Sequence, residues 1–274
     1  MRLFDTHAHL HDKRFDADVN DVVARARAAA VIGLVTLGED VATSLRDLKL
    51  ARANAGFVYA AAGCHPHNAD AMDAAAYAEL RALCKGEAVV AVGEIGLDFY
   101  RNLSSREKQF EVFQWQLDLA RELGKPVAVH CREAQDEMLP IINAWAHSDN
   151  AGRPLGVMHY FSGDATEGAH YASLGFMISI HTSITYPKSD ALRDVARKLP
   201  LGALVVETDS PYGAPQSLRG KRNEPQHVIA AIEAIAELRG EPIERIAEAT
   251  TANALRLFGI ESRLTQPAGT PGRS

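Results

Sequence analysis

Short apolar runs recur along the chain, and a stretch of helical spacing follows most of them. The β-type runs predict eight strands: Leu3–His7, Val31–Leu37, Phe57–Gly63, Ala88–Gly93, Pro126–His130, Leu155–His159, Phe176–Ile180 and Ala203–Thr208. Several, such as Val89-Val90-Ala91-Val92 and Leu204-Val205-Val206, are apolar without interruption. Such runs suit parallel strands buried on both faces, whereas a strand with one wet face alternates. Among the helical stretches, Asp21 to Ala30 carries Val22, Val23, Ala26 and Ala30 on one side. Ser104-Ser105-Arg106-Glu107 has the spacing of a capping box. Phe110, Phe113, Leu117 and Ala120 recur behind it until Gly124-Lys125-Pro126 stops the helix. Pro242 opens a last helix through Ile243, Ile246, Ala247, Ala254 and Leu257, closed by Gly259.

Eight strands alternating with helices in 274 residues argue for one α/β domain, a (β/α)8 TIM barrel over residues 1–260. A doubly wound open sheet would use fewer strands and usually a glycine-rich phosphate loop; the chain has no G-x-G-x-x-G and no P-loop. The polar, Pro/Gly-rich tail of residues 261–274 is expected to be disordered.

Composition adds exclusions. The chain is 47% hydrophobic and 23% charged, as ordinary globular proteins are. No apolar run is long enough to span a bilayer, so no membrane association is expected. The N-terminus starts at once with a strand and reads as lacking a signal peptide. Cys64, Cys84 and Cys131 have no metal-type spacing and read as reduced thiols in a cytoplasmic protein. A formal net charge of −6 argues against a broad electrostatic footprint for duplex nucleic acid. It leaves room for an enzyme whose bound cations supply the local positive field.

In a barrel of this kind the chemistry sits at the C-terminal strand ends. Those ends carry His7 and His9 on the first strand, Glu94 on the fourth, His130 on the fifth, His159 on the sixth and Asp209 on the eighth. His7 and His9, two residues apart, share a strand face. Six metal-competent side chains at one mouth have no evident stability rationale, because crowded carboxylates are costly without a cation. Six ligands exceed the needs of one catalytic zinc. They suit two divalent cations about 3.5–4 Å apart, bridged by one carboxylate. Glu94 is the natural bridge. His7, His9, Glu94 and Asp209 would hold the first metal, and Glu94, His130 and His159 the second. A water activated there would be the nucleophile, with Asp209 positioned to take its proton. Four histidines favour zinc or a transition metal, while the carboxylates also admit Mg²⁺ or Mn²⁺.

These stretches resemble the TatD-type metal-dependent deoxyribonucleases, a branch of the amidohydrolase-like barrels. The resemblance is carried by Phe4-Asp5-Thr6-His7-Ala8-His9-Leu10, Gly63-Cys64-His65-Pro66-His67, Gly93-Glu94-Ile95-Gly96-Leu97-Asp98-Phe99-Tyr100, Pro126-Val127-Ala128-Val129-His130-Cys131-Arg132, His159-Tyr160-Phe161-Ser162-Gly163, Glu207-Thr208-Asp209-Ser210-Pro211-Tyr212 and Arg219-Gly220-Lys221-Arg222-Asn223-Glu224-Pro225. It implies divalent-metal-dependent hydrolysis of DNA phosphodiesters, often exonucleolytic, on single strands or DNA ends, and metal positions at the same six residues. The alternative is an ester or amide hydrolase of the same superfamily, such as a D-aminoacyl-tRNA deacylase. Two positions depart from the family pattern: Tyr160 stands where many members carry Cys, and His181 lies in a segment that is usually small and Gly-containing.

Further substrate contacts are expected from four residues. His65, aimed inward by Pro66, suits a phosphate or leaving oxygen. Arg132 can clamp a phosphate oxygen in bidentate fashion, the competing reading being an ion pair with Glu133 or Asp136. Glu207 shares the face of Asp209 and suits a hydrogen bond to a ligating histidine. Arg222 lies in the basic loop Arg219–Asn223, which can track a nucleic-acid backbone. His67 reads as peripheral, and His11, His147, His170 and His227 carry no assigned role.

Overall fold

A computed structural model describes residues 1–147 and 154–261. Its strands are β1 (Leu3–Ala8), β2 (Val31–Leu37), β3 (Val58–Ala62), β4 (Val89–Asp98), β5 (Val127–Arg132), β6 (Gly156–Met158), β7 (Phe176–His181) and β8 (Leu204–Glu207). They form one parallel sheet in sequential order. The ring closes where Ala8 bridges Ser210, with His9 N–H donating to Ser210 O (2.7 Å) and Asp209 N–H to His7 O (2.9 Å). The helices are α1 (Val19–Ala28), α2 (Val41–Ala53), α3 (Ala74–Cys84), α4 (Arg106–Leu123), α5 (Gln135–His147), α6 (Ala165–Ser173), α7 (Asp190–Lys198), α8 (Ile229–Arg239) and α9 (Ile243–Phe258). A helix therefore follows every strand, and the (β/α)8 barrel is the observed fold.

The apolar strand runs are explained by two separate cores. Phe4, Val35, Tyr59, Val90, Ala128, Val157, Met177 and Val205 fill the barrel interior, sealed by Leu257, Phe258 and Ile260 at and just beyond the end of α9. Leu3, Leu34, Val58, Val89, Val127, Phe176 and Leu204 point outward and pack with the helices. Neighbouring strand residues thus bury opposite faces, which leaves little place for polar alternation.

Three local expectations are corrected. β4 does not stop at Gly93 but runs on to Asp98, its extension pairing Gly96 with His130 and Asp98 with Arg132. Only glycine fits this approach, since a Cβ at Gly96 would lie 1.9 Å from His130 O. The capping box at Ser104 does not form. Ser105 is the N-cap of α4 without a side-chain cap bond, and its Oγ donates to Asp70 Oδ1 (2.9 Å). Ser104 Oγ donates to His67 O (2.9 Å), so both hydroxyls tie the loop after β4 to the short helix Pro66–Ala71. The first helix ends at Ala28, and Ala30 adopts a left-handed φ of 64° that no helix accommodates. Of the tail expected to be disordered, residues 262–274 lie outside the described residues. Cys64, Cys84 and Cys131 are free thiols. Among the described residues no helix is long and apolar enough to cross a membrane.

Candidate metal centre

The six residues read from strand ends converge on one carboxylate. Glu94 is buried, and its two oxygens face different partners. Oε2 lies 3.4 Å from His7 Nε2 and 3.6 Å from His9 Nε2. Oε1 lies 3.0 Å from His130 Nδ1, 3.6 Å from His159 Nε2 and 3.6 Å from His65 Nε2. Asp209 Oδ1 stands 3.4 Å from His9 Nε2 and 3.8 Å from His159 Nε2. His159 therefore stands between the two groups, its ring stacked on that of His7 at 3.4 Å between centroids. The backbone assists this approach. Gly63 at the end of β3 lies so near Gly93–Glu94 that a Cβ would sit 2.6 Å from Gly93 C. Asp209 and Tyr160 both hold left-handed backbone, φ 57° and 43°, which side chains rarely adopt outside sites that over-determine them.

Hydrogen-bond chemistry tests whether this donor set suits a cation. His9 Nδ1 is 3.1 Å from Leu37 O, and a carbonyl only accepts, so this nitrogen donates outward and Nε2 is the one that faces the site. His130 Nε2 is 3.0 Å from Asp98 Oδ2, which leaves Nδ1 facing Glu94. His159 Nδ1 is 2.9 Å from Glu207 Oε1, which leaves Nε2 facing Glu94 and Asp209. His9 and His130 thus commit one nitrogen to an outer acceptor and turn the other inward, as metal-ligating histidines do, while His159 keeps Nδ1 at ion-pair distance from Glu207 and Nε2 inward. The residues fit a divalent cation.

The electrostatics follow from burial and close charges. Burial disfavours a charged His9, but Asp209, Glu94 and Glu39 outweigh it and raise the ring to about 10. Against the same burial penalty, Asp98 and Glu94 raise His130 to about 9. Burial and the neighbouring His159 instead lower His7, and burial pushes His65 well below the usual range. Burial would raise Glu94, yet the surrounding imidazoles hold it well below the ordinary carboxylate range. Glu207, also buried, is drawn down to about 2 by His159. With His9 and His130 protonated at neutral pH, cation binding has to displace protons there.

The four expected substrate residues fall differently. His65 joins the cluster, and its Nδ1 accepts from His67 N–H (3.1 Å), so this neutral ring presents an Nε2–H donor to the site. Glu207 meets His159 and accepts from Tyr160 N–H (2.8 Å). Among the described residues Arg132 makes no ion pair with Glu133 or Asp136; its guanidinium covers the Tyr100 ring at 3.8 Å. Arg222 is committed elsewhere. It donates at 2.7 Å to Asp18, Glu224 and Arg14 O, clamping the loop after β8 onto the loop after β1. His181 is buried, stacked on Tyr160 at 3.7 Å with its Nδ1 against Ser183 Oγ, and burial lowers it to about 4.

Sequence reasoning missed several participants. Asp98 is fully buried and bonds both His130 and His67 Nε2 at 3.0 Å, so His67 is tied to the centre rather than peripheral. His11, given no role, is buried with Nδ1 2.8 Å from Asp47 and Nε2 3.3 Å from Glu39. The signal for Asp98 was the glycine pair Gly93 and Gly96, which permits β4 to continue against β5. Asp98→Asn replaces a charged acceptor that orients His130. The expected result is metal affinity about 10- to 100-fold weaker by titration calorimetry, with the far-ultraviolet circular dichroism of the wild type.

Comparison with known proteins bears on this centre. Residues 4–259 match the signature of the family described as TatD related DNase. An uncharacterized metal-dependent hydrolase of Bacillus subtilis, YabD, is 37% identical over 258 residues, covering 94% of this chain and 99% of that protein. The protein named 3'-5' ssDNA/RNA exonuclease TatD of Erwinia amylovora is 36% identical over 263 residues, covering 94% of this chain and all (100%) of its own length. Among solved structures, the Escherichia coli TatD homolog YJJV superposes with a TM-score of 0.87 at 32% identity, over 94% of this chain and 98% of that one.

Proposed function

Because the chain belongs to the TatD-related DNase family of metal-dependent hydrolases, we propose that it cleaves DNA phosphodiester bonds, in single strands or at DNA ends, exonucleolytically and with two divalent cations. One observation carries this reading: the two oxygens of Glu94 face separate sets of imidazoles, the arrangement a bridging carboxylate needs. His7, His9, Asp209 and Glu94 Oε2 would hold one cation; His130, His159 and Glu94 Oε1 the other. Mg²⁺, Mn²⁺ and Zn²⁺ all fit the mixed nitrogen and oxygen donors. Two bound cations supply Lewis-acid polarisation of the phosphoryl oxygen, a water of lowered pKa and a counter-charge for the leaving oxygen.

The protein's own groups divide the remaining work. Asp209, partly open to the mouth beside His9, accepts the proton of the attacking water. His65, neutral with Nε2–H inward, donates a hydrogen bond to a phosphoryl oxygen. Arg132, at the end of β5, pairs with a phosphate flanking the scissile bond. Asp98 and Glu207 hold the rings of His130 and His159 in orientation.

The test is a cation series on chelated protein, with 5′- and 3′-labelled single-stranded oligonucleotides and a D-aminoacyl-tRNA ester measured in parallel. Nucleotide release from one end on restoring Mg²⁺, Mn²⁺ or Zn²⁺ is the expected outcome. Ester hydrolysis without nucleotide release would replace this reading by the deacylase alternative.

A further inference from the structure

Among the Phe, Tyr and Trp side chains of the described residues only two are exposed, Tyr100 (57%) and Tyr212 (47%). Both lie on the face that carries the metal centre. Tyr100 follows β4, and its ring is covered by Arg132 at the end of β5, with Cζ 3.8 Å from the centroid. Tyr212 follows β8, and its ring is covered by Arg14 in the loop after β1, with Cζ at 4.2 Å. β4 and β5 are neighbours, and so are β8 and β1; four strands separate the pairs around an eight-stranded ring. The two tyrosine–arginine units therefore face each other across the mouth, with Glu94 and its histidines between them. Tyr212 stands 6.1 Å from the His9 ring, and Tyr100 comes two residues after Asp98, which bonds His130.

An exposed aromatic by itself is ordinary; here two of them, each paired with a guanidinium, flank the same charged centre. From this geometry we infer that the two tyrosines are stacking platforms for bases of a single-stranded nucleic acid laid across the metal centre. The inference rests on the nuclease reading above and adds how the strand is held. A ring with a guanidinium over one face keeps its other face, and the outer plane of the guanidinium, for a base to stack on, whatever the base's identity. In a duplex the bases are already stacked and paired, so these platforms select for single strands.

The two units differ in charge. Arg14 is tied to Asp12 by bonds of 2.8 and 2.9 Å, so the Tyr212 side offers a base contact with little net charge. Arg132 has no ion pair among the described residues, so the Tyr100 side offers a base contact and a cation for phosphate. On a chain of net charge −6, long-range attraction contributes little, and short-range stacking must carry much of the affinity.

The test uses the metal-loaded full-length protein and a fluorescent single-stranded oligonucleotide protected from cleavage by phosphorothioate linkages. Its partner is a strand of the same length with abasic residues, which keeps the backbone and removes the rings. Tyr100→Ala and Tyr212→Ala are each expected to weaken binding of the base-bearing strand about tenfold by fluorescence anisotropy, while Tyr→Phe at either position restores it. The abasic strand is expected to bind the wild type weakly and to be indifferent to either alanine. This non-additivity is the signature of a direct ring–base contact. Equal binding of the base-bearing strand by wild type and both alanine variants would overturn the inference, as would equal affinity of the wild type for both strands. The readout is binding, so a protein that binds but releases no nucleotides refutes the nuclease reading and not the platforms.

Discussion

Replacing Glu94 by alanine is expected to lower metal-dependent hydrolysis by about three orders of magnitude or more. The magnitude follows from its position. Its two oxygens are within 3.0–3.6 Å of five imidazoles, so one truncation empties the middle of both proposed cation sites. Glu94 is also a close counter-charge to His9 and His130, beside Asp209 for the first and Asp98 for the second, and it helps to raise both rings. Without it the metal-free cluster is left with mutually repelling rings, and cations lose their shared ligand. Rate on a labelled oligonucleotide, metal content by mass spectrometry and circular dichroism are measured together. The expected pattern is a lost rate, a metal content below that of the wild type and an unchanged fold. Wild-type turnover by Glu94→Ala would refute the bridging role.

Asp209→Asn is expected to lower kcat by about 10²- to 10⁴-fold while oligonucleotide binding changes far less. Asparagine is the informative replacement. Asp209 has φ 57°, and Asn tolerates left-handed backbone that alanine resists, so the substitution removes the charge without forcing the loop. The backbone bond from residue 209 N–H to His7 O (2.9 Å) survives. The amide can still offer one oxygen toward His9 and the first cation, but it cannot take up a proton. Single-turnover rates separate this loss from binding. A kcat within about threefold of the wild type would move proton acceptance to another group.

These expectations rest on residues of which some were legible in the chain and some were not. The strand ends were legible because burial on both faces leaves an apolar signature four to seven residues long, and a His, Glu or Asp ending such a run is conspicuous. The end of β4 misled: Gly93 reads as a terminator, yet Gly93 and Gly96 are there so that the strand can continue against His130. That continuation carries Asp98 to its place and makes His67 part of the centre. Arg222 misled for a different reason. Its fate depends on Asp18, 204 residues away, which reaches it only after the barrel has closed.

By itself the sequence determined the class of fold, the end of the barrel that carries chemistry, and the set of six side chains at it. These are properties of period and of order along the chain, and both are local. Only the tertiary structure decided which oxygen of Glu94 faces which histidine, which carboxylate stands behind each ring, and that Arg222 is tied to Asp18 and Glu224 while Arg132 lies over Tyr100. Those pairings join β4 to β1, β5 and β6, β1 to β8, and β6 to β8. They arise from strand register and ring closure, and hydrogen bonds only a few ångströms long leave no trace in the spacing of residues far apart in the chain.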